Sequence, residues 1–226
     1  MRSPAKHRDF QSEYRQLFKE VGQPLSSRDG IPESRITAAE KRLGSHLPVS
    51  LREYYLVAGS EKKLNLAFNR LYEVSEWELD SGKLVFMEEN QATVRWGVTV
   101  RSRPADDPQV LQSQLCQGAY EDWEPEHDSC AVFLKFMICM HASFGGGLEC
   151  TASAAIPETL QKTLDESWRF MGEVKKMRAY TREGEVVCFS PWKDFFGSKP
   201  IWRVFAGAAS RQALEAIQRD LAVVWD

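Results

Sequence analysis

Near the start of the chain, apolar side chains recur with the period of a helix. Phe10, Tyr14, Leu17, Phe18 and Val21 form one stripe, closed by Gly22 and Pro24, and predict a helix over residues 7–21. After "GQPLSSRDG", Pro32 stands where a first helical residue would, and Ile36, Ala39 and Leu43 make the next stripe before Gly44 stops it. Pro48 then opens a further short helix with Leu51, Tyr54, Tyr55 and Ala58 on its inner side, ended by Gly59. The chain therefore folds a tight hinge at Leu47-Pro48.

Beyond Leu64 the period changes. "RLYEVSEWEL", "GKLVFMEE" and "TVRWGVTV" are rich in β-branched and aromatic residues and are separated by "DSG" and "ENQ", which predicts consecutive antiparallel strands. Pro104 to Pro108 is a break, "EDWEPEHDS" reads as an acidic loop, and Ser129 is placed to cap the apolar helix "CAVFLKFMICMHASF", which Gly145 to Gly147 terminate. A strand over "LECTASAAI", a short helix from Pro157, a hairpin turning at "REGE", a strand around "IWRVFAG" and a last helix from Ser210 follow. Helices flanking hairpin-connected strands predict an α+β fold: one domain over residues 1–226, with an antiparallel or mixed sheet covered on one face.

Composition adds that this is an ordinary globular chain, since 43% hydrophobic and 27% charged residues lie far from the regime of disorder. Five cysteines at irregular spacings, Cys116, Cys130, Cys139, Cys150 and Cys188, read as reduced thiols and point to the cytoplasm. Met1 to Asp9 has neither the pattern of a signal peptide nor that of an anchor, and the longest apolar stretch, Ala131 to Met140, is interrupted by Lys135 and too short to span a bilayer. No membrane association is expected.

Charge changes the picture more. The net formal charge is only −3, yet residues 64–128 carry five basic and thirteen acidic side chains. A field of one sign steers oppositely charged partners and repels a phosphate backbone, so nucleic acid is not expected as a direct ligand. The candidate partner-binding residues lie in this segment: Asp106, Asp107, Glu121, Asp122, Trp123, Glu124, Glu126 and Asp128. Trp123 has two readings, an interface anchor ringed by charge or a side chain folded back on the sheet with only its neighbours facing water.

Catalytic constellations are scarce. The 121–128 segment, with His127, lacks the ligand spacing of a calcium loop or of a catalytic zinc site, so neither metal nor cofactor is expected. Cys139 and His141 stand two apart on a helix, on different faces. "SFGGGLE" follows a helix instead of opening one and lacks the Gly-Lys-Ser/Thr of a phosphate loop. No catalytic residue is assigned.

The string "ITAAEKRLGSHLPVSLREYYLVAG" resembles the N-terminal signature of the Smi/Knr-like, or SUKH, superfamily, through Ile36, Glu40, Leu43, Gly44, Leu47, Pro48 and Gly59. "FMEENQATVRWGV" with the following "DDPQV", and Trp123 followed by "EHDSCAVFLKFMICMHASFGG", are similar to later parts of bacterial members. Together the matches run over about residues 31–147, with a weaker likeness in "VFAGAASRQALEAIQRDLAVVWD". Where the family often carries Asn-Gly-Gly after the second helix, this chain has "AGSEKKLN". The resemblance implies a Smi/Knr-like fold and a non-enzymatic role, since bacterial relatives are largely immunity proteins that neutralise polymorphic toxins, many of them nucleases. The expected partner is a basic protein toxin. The alternative is a small metal-dependent or hydrolytic enzyme using the acidic segment with His127 or His141.

Overall fold

The computed structural model describes residues 8–193 and 200–226. Residue 7, where the apolar pattern starts the first helix, lies outside them. Helix α1 (Phe10–Glu20) begins after Asp9, whose side chain accepts the Ser12 N–H at 3.0 Å. Helices α2 (Glu33–Leu43) and α3 (Val49–Ala58) form the hinge. Gly44 closes α2 in the left-handed region, at φ 65°, where a side chain would be strained. The chain then turns so that Leu47 is buried and its N–H donates to Glu40 Oε1 at 2.8 Å. A side-chain acceptor is needed there because a buried N–H left without a partner is costly. Pro48 starts α3, and the next two N–H groups, of Val49 and Ser50, donate to the carbonyls of Ala105 and Asp106 at 3.0 and 2.8 Å. Gly59 ends α3 for a different reason. Its φ is an ordinary −64°, but a Cβ would stand 2.7 Å from Tyr55 Cδ1 and 2.8 Å from Ile31 Cγ1, so packing and not conformation demands glycine.

After the single turn α4 (Lys62–Asn65), the first predicted strand proves to be two, β1 (Arg70–Leu71) and β2 (Glu78–Asp80), both paired antiparallel to β3 (Lys83–Glu88). The bow between them buries Val74 and Trp77, and the Trp77 indole N–H donates to the Tyr55 hydroxyl at 3.1 Å. Ser81 and Gly82 join β2 to β3 with φ 50° and 73°, the left-handed pair that a two-residue hairpin needs. Strand β4 (Val94–Thr99) follows as expected. Three further strands complete the sheet: β5 (Val110–Cys116), β6 (Ala119–Tyr120) and β7 (Glu124–His127), the last two both paired to β5. The stretch read as an acidic loop thus contains an edge strand. Its Pro125 withholds a donor, which is tolerated at an edge.

Helix α5 (Cys130–Ser143) is mostly apolar all round and is buried over most of its length, its one cation, Lys135, pairing with Glu13 at 3.1 Å, the mark of a helix packed on several sides. Ser129 caps it by accepting the Val132 N–H at 3.1 Å. One side of α5 packs on the first sheet, with Phe133 6.1 Å from Phe86 and 5.7 Å from Trp96 between ring centroids. The other side lies on a second sheet, built from β8 (Cys150–Ile156), then, after α6 (Leu160–Ser167), β9 (Arg169–Val174), β10 (Met177–Arg182), β11 (Glu185–Lys193) and β12 (Pro200–Ala208), with α7 (Arg211–Leu221) last. The order is β8-β12-β11-β10-β9, antiparallel throughout. Two glycines let α5 sit close to this sheet: a Cβ at Gly172 would meet Val132 Cγ1 at 2.8 Å, and one at Gly207 the Ala142 carbonyl oxygen at 2.5 Å.

The fold is α+β, with two antiparallel sheets where one was expected. A helix this apolar explains the difference, because with a single sheet the face of α5 that now meets β9 to β12 would lie in water. Ala179, Val186 and Cys188 face α5 and the main core, while Tyr180, Val187, Phe189, Val204 and Ala206 face outward into a second cluster closed by Leu164, Ile217 and Leu221. The second sheet is therefore covered on both faces.

Candidate partner-binding surface

The outer face of the first sheet carries charge. Strand β4 sends Trp96 and Val98 inward to the core and Arg95 and Gly97 outward. Gly97 has no side chain, and the Trp123 indole occupies the space: a Cβ there would lie 3.0 Å from Trp123 Cη2. Val85, paired with Gly97, shares this face and is fully buried. The Trp123 indole N–H donates to Asp80 Oδ2 at 3.3 Å. Arg95 is ion-paired with Asp80 and lies 4.0 Å from Glu78. Its guanidinium stands 4.0 Å from the Tyr120 ring centroid and 5.0 Å from that of Trp123, a cation held between two aromatic faces. Burial pulls the Asp80 carboxyl up, but hydrogen bonds from Ser81 and Trp123 and the Arg95 charge outweigh it and leave the pKa lowered. Trp123 thus takes the second of its two readings: it folds back onto the sheet and fastens the segment that carries its acidic neighbours.

The acidic candidates divide into two sets. Asp107 is committed to α5: Oδ1 accepts the Ala131 N–H at 2.8 Å, and Oδ2 accepts the Ser129 hydroxyl at 2.5 Å and the Arg8 guanidinium at 3.0 Å. A carboxylate at a helix N-terminus is favourable twice, by hydrogen bonding and by the dipole. Glu126 is likewise engaged within the chain, its side chain 5% exposed and 2.8 Å from Lys175 Nζ. Asp106, Glu121, Asp122, Glu124 and Asp128 are exposed. Of these, Asp122 and Glu124 have no cationic partner among the described residues, and Asp128 accepts a hydrogen bond from Gln109 at 3.0 Å. Of the exposed carboxylates Glu124 lies on β7, Glu121 and Asp122 just before it and Asp128 just after it, and the Asp107–Ser129 bond brings Asp106 near the end of that run.

The remaining titratable candidates are structural. His141 is fully buried, with Nδ1 2.5 Å from the Leu64 carbonyl and Nε2 accepting the Asn69 N–H at 3.2 Å. That pairing fixes the neutral Nδ1–H tautomer, and burial pushes the pKa down to about 4. Cys139 is also buried, its thiol pushed well above its ordinary pKa by desolvation, with the Cys188 thiol nearby. Burial likewise drives the Cys188 thiol up to about 12. These groups are poor nucleophiles. Cys116 is the exposed thiol, and the Glu121 carboxylate beside it raises its pKa. The glycine run closes α5, with Gly145 and Gly147 at φ 100° and 74°. His127 accepts the Ser129 N–H through Nδ1 at 2.9 Å. Among the described residues no three His, Cys, Asp or Glu side chains converge as a metal site, and no helix is long and apolar enough to cross a membrane.

Compared with known proteins, the chain matches no family model and has no significant match to a curated protein or a solved structure.

Proposed function

We propose that the protein is a non-enzymatic binding module, an immunity protein of the Smi/Knr-like type that neutralises a basic polymorphic toxin in the cytoplasm. The observation that carries this reading is the run of exposed carboxylates, Glu121, Asp122, Glu124 and Asp128 with Asp106, along the open edge of the first sheet. Nucleases are basic where they grip phosphate, and an acidic strip occupies such a surface while steering the encounter. The ordered motifs from Ile36 to Gly147 support the family reading, and the hinge gives its residues physical reasons: Gly44 for φ, Glu40 for a stranded N–H, Leu47 for burial. Asp107, Glu126 and Trp123 hold the strip in place. The test is the association rate, across a salt series, between this protein and the toxin encoded beside its gene. Rates indifferent to salt and to reversal of these carboxylates refute the acidic-strip reading.

A further inference from the structure

A second site lies apart from the acidic strip. Between the end of α3, α4 and the bow that joins β1 to β2 is a cavity of about 240 Å3. Ile31, Leu71 and Val74 make its floor, and all three are buried. The polar groups of its wall are already satisfied. Asn65 donates to the Ala58 carbonyl at 2.6 Å and accepts from the Tyr54 hydroxyl at 2.5 Å, and the Glu61 carboxylate accepts the N–H groups of Lys63 and Leu64 at 2.8 and 2.9 Å. The Ser60 N–H donates to the Asp29 carbonyl at 2.8 Å. The wall is therefore set before any ligand arrives.

The rim is different. Arg35, Lys62 and Glu73 line the cavity, are exposed, and make no side-chain ion pair among the described residues. Two uncommitted cations and one uncommitted carboxylate above an apolar floor select a ligand that joins a small apolar group to a carboxylate. A dry cavity of roughly 150 Å3 already accepts benzene, so the present volume takes a Leu or Phe side chain together with its terminal group. We propose that the cavity binds the C-terminal residue of a partner polypeptide, with its apolar side chain on Ile31, Leu71 and Val74 and its α-carboxylate between Arg35 and Lys62. Glu73 disfavours a second anionic group beside the first and leaves an acceptor for a peptide N–H. This site does not depend on the acidic strip, which faces basic partners.

The test titrates the full chain, followed by amide resonances, with N-acetyl-Gly-Leu as the free acid and as its C-terminal amide. Charge-assisted hydrogen bonds to the terminal group predict the acid to bind about tenfold tighter or more than the amide, with shifts centred on Ile31, Gly59 and Leu71. Replacing both rim cations, Arg35→Ala with Lys62→Ala, should erase that preference while leaving the thermal melt in place, because both side chains are exposed. Equal affinity for acid and amide, no saturable binding of either at millimolar concentration, or a preference that survives the double substitution would overturn the proposal.

Discussion

The two sheets bury their faces differently. In the second, β11 and β12 send apolar side chains both ways, toward α5 and toward α6 and α7, so most of both faces is taken up by packing, with Phe170 and Ile201 left exposed on β9 and β12. In the first, the inward residues Leu84, Phe86, Trp96 and Val98 meet the core, whereas the outward side is closed by one tryptophan lying on a glycine and by a paired arginine. A sheet with one charged face and an acidic edge keeps a surface that a partner can read. A sheet packed on both sides offers less such surface.

Substitutions sharpen that contrast, beginning with the helix that both sheets share. Phe133→Ala should lower stability by about 3 to 5 kcal/mol through lost transfer and cavity terms, read as a shift in the urea midpoint. A shift no larger than that of a surface variant breaks the claim that α5 is the common core. At the hinge, Leu47→Ala should cost about 2 to 5 kcal/mol for the same reasons, checked by thermal melting. The buried imidazole gives a pH dependence. Its folded pKa of about 4 lies below the ordinary 6.5, so its contribution is fully present above pH 6.5 and is lost as pH falls through the window toward 4, by roughly 3 kcal/mol in all. Unfolding of the wild type and of His141→Gln, compared across that range, should show a shallower acid slope in the variant. Trp123→Ala should cost about 1 to 2 kcal/mol, since the ring is half-buried and stacks on a paired arginine, and should loosen the β6–β7 connection in amide exchange. An unprotected connection in the wild type would deny Trp123 its fastening role.

Much of the helical half was legible in the sequence. Stripes such as Phe10-Tyr14-Leu17 and stops such as Gly44 are local signals, and the helices fall where those signals put them. The strand half was less legible, for identifiable reasons. "RLYEVSEWEL" looks continuous by propensity, yet Val74 and Trp77 are drawn into the core between two short pairings with β3. Strand β5 mixes Gln112, Ser113 and Gln114 into its run, so it lacks an apolar alternation, and β7 consists of Glu, Pro, Glu and His. Tertiary pairing, not local preference, makes these strands. Of the candidate surface, the sequence located the acidic segment. It did not show that Asp107 is consumed by the N-terminus of α5 or Glu126 by Lys175, because both partners lie far along the chain. The Arg95 sandwich was equally hidden: it needs β4, β6 and Trp123 side by side.

The proposed function puts the partner on the open edge of the first sheet and not on the second sheet. The most direct measurement is stopped-flow association with the toxin proposed as partner, at low and physiological salt, for two charge-reversed proteins of matched net charge. One carries Asp122→Lys, Glu124→Lys and Asp128→Lys on the acidic edge. The other carries Glu158→Lys, Glu166→Lys and Glu215→Lys on exposed positions around the second sheet. Neither set should alter the melt by more than about 0.5 kcal/mol. Edge reversal should slow association about tenfold or more at low salt and flatten its salt dependence, while the control stays much nearer the wild-type rate. Equal slowing by both sets, or a larger effect from the control, would contradict it.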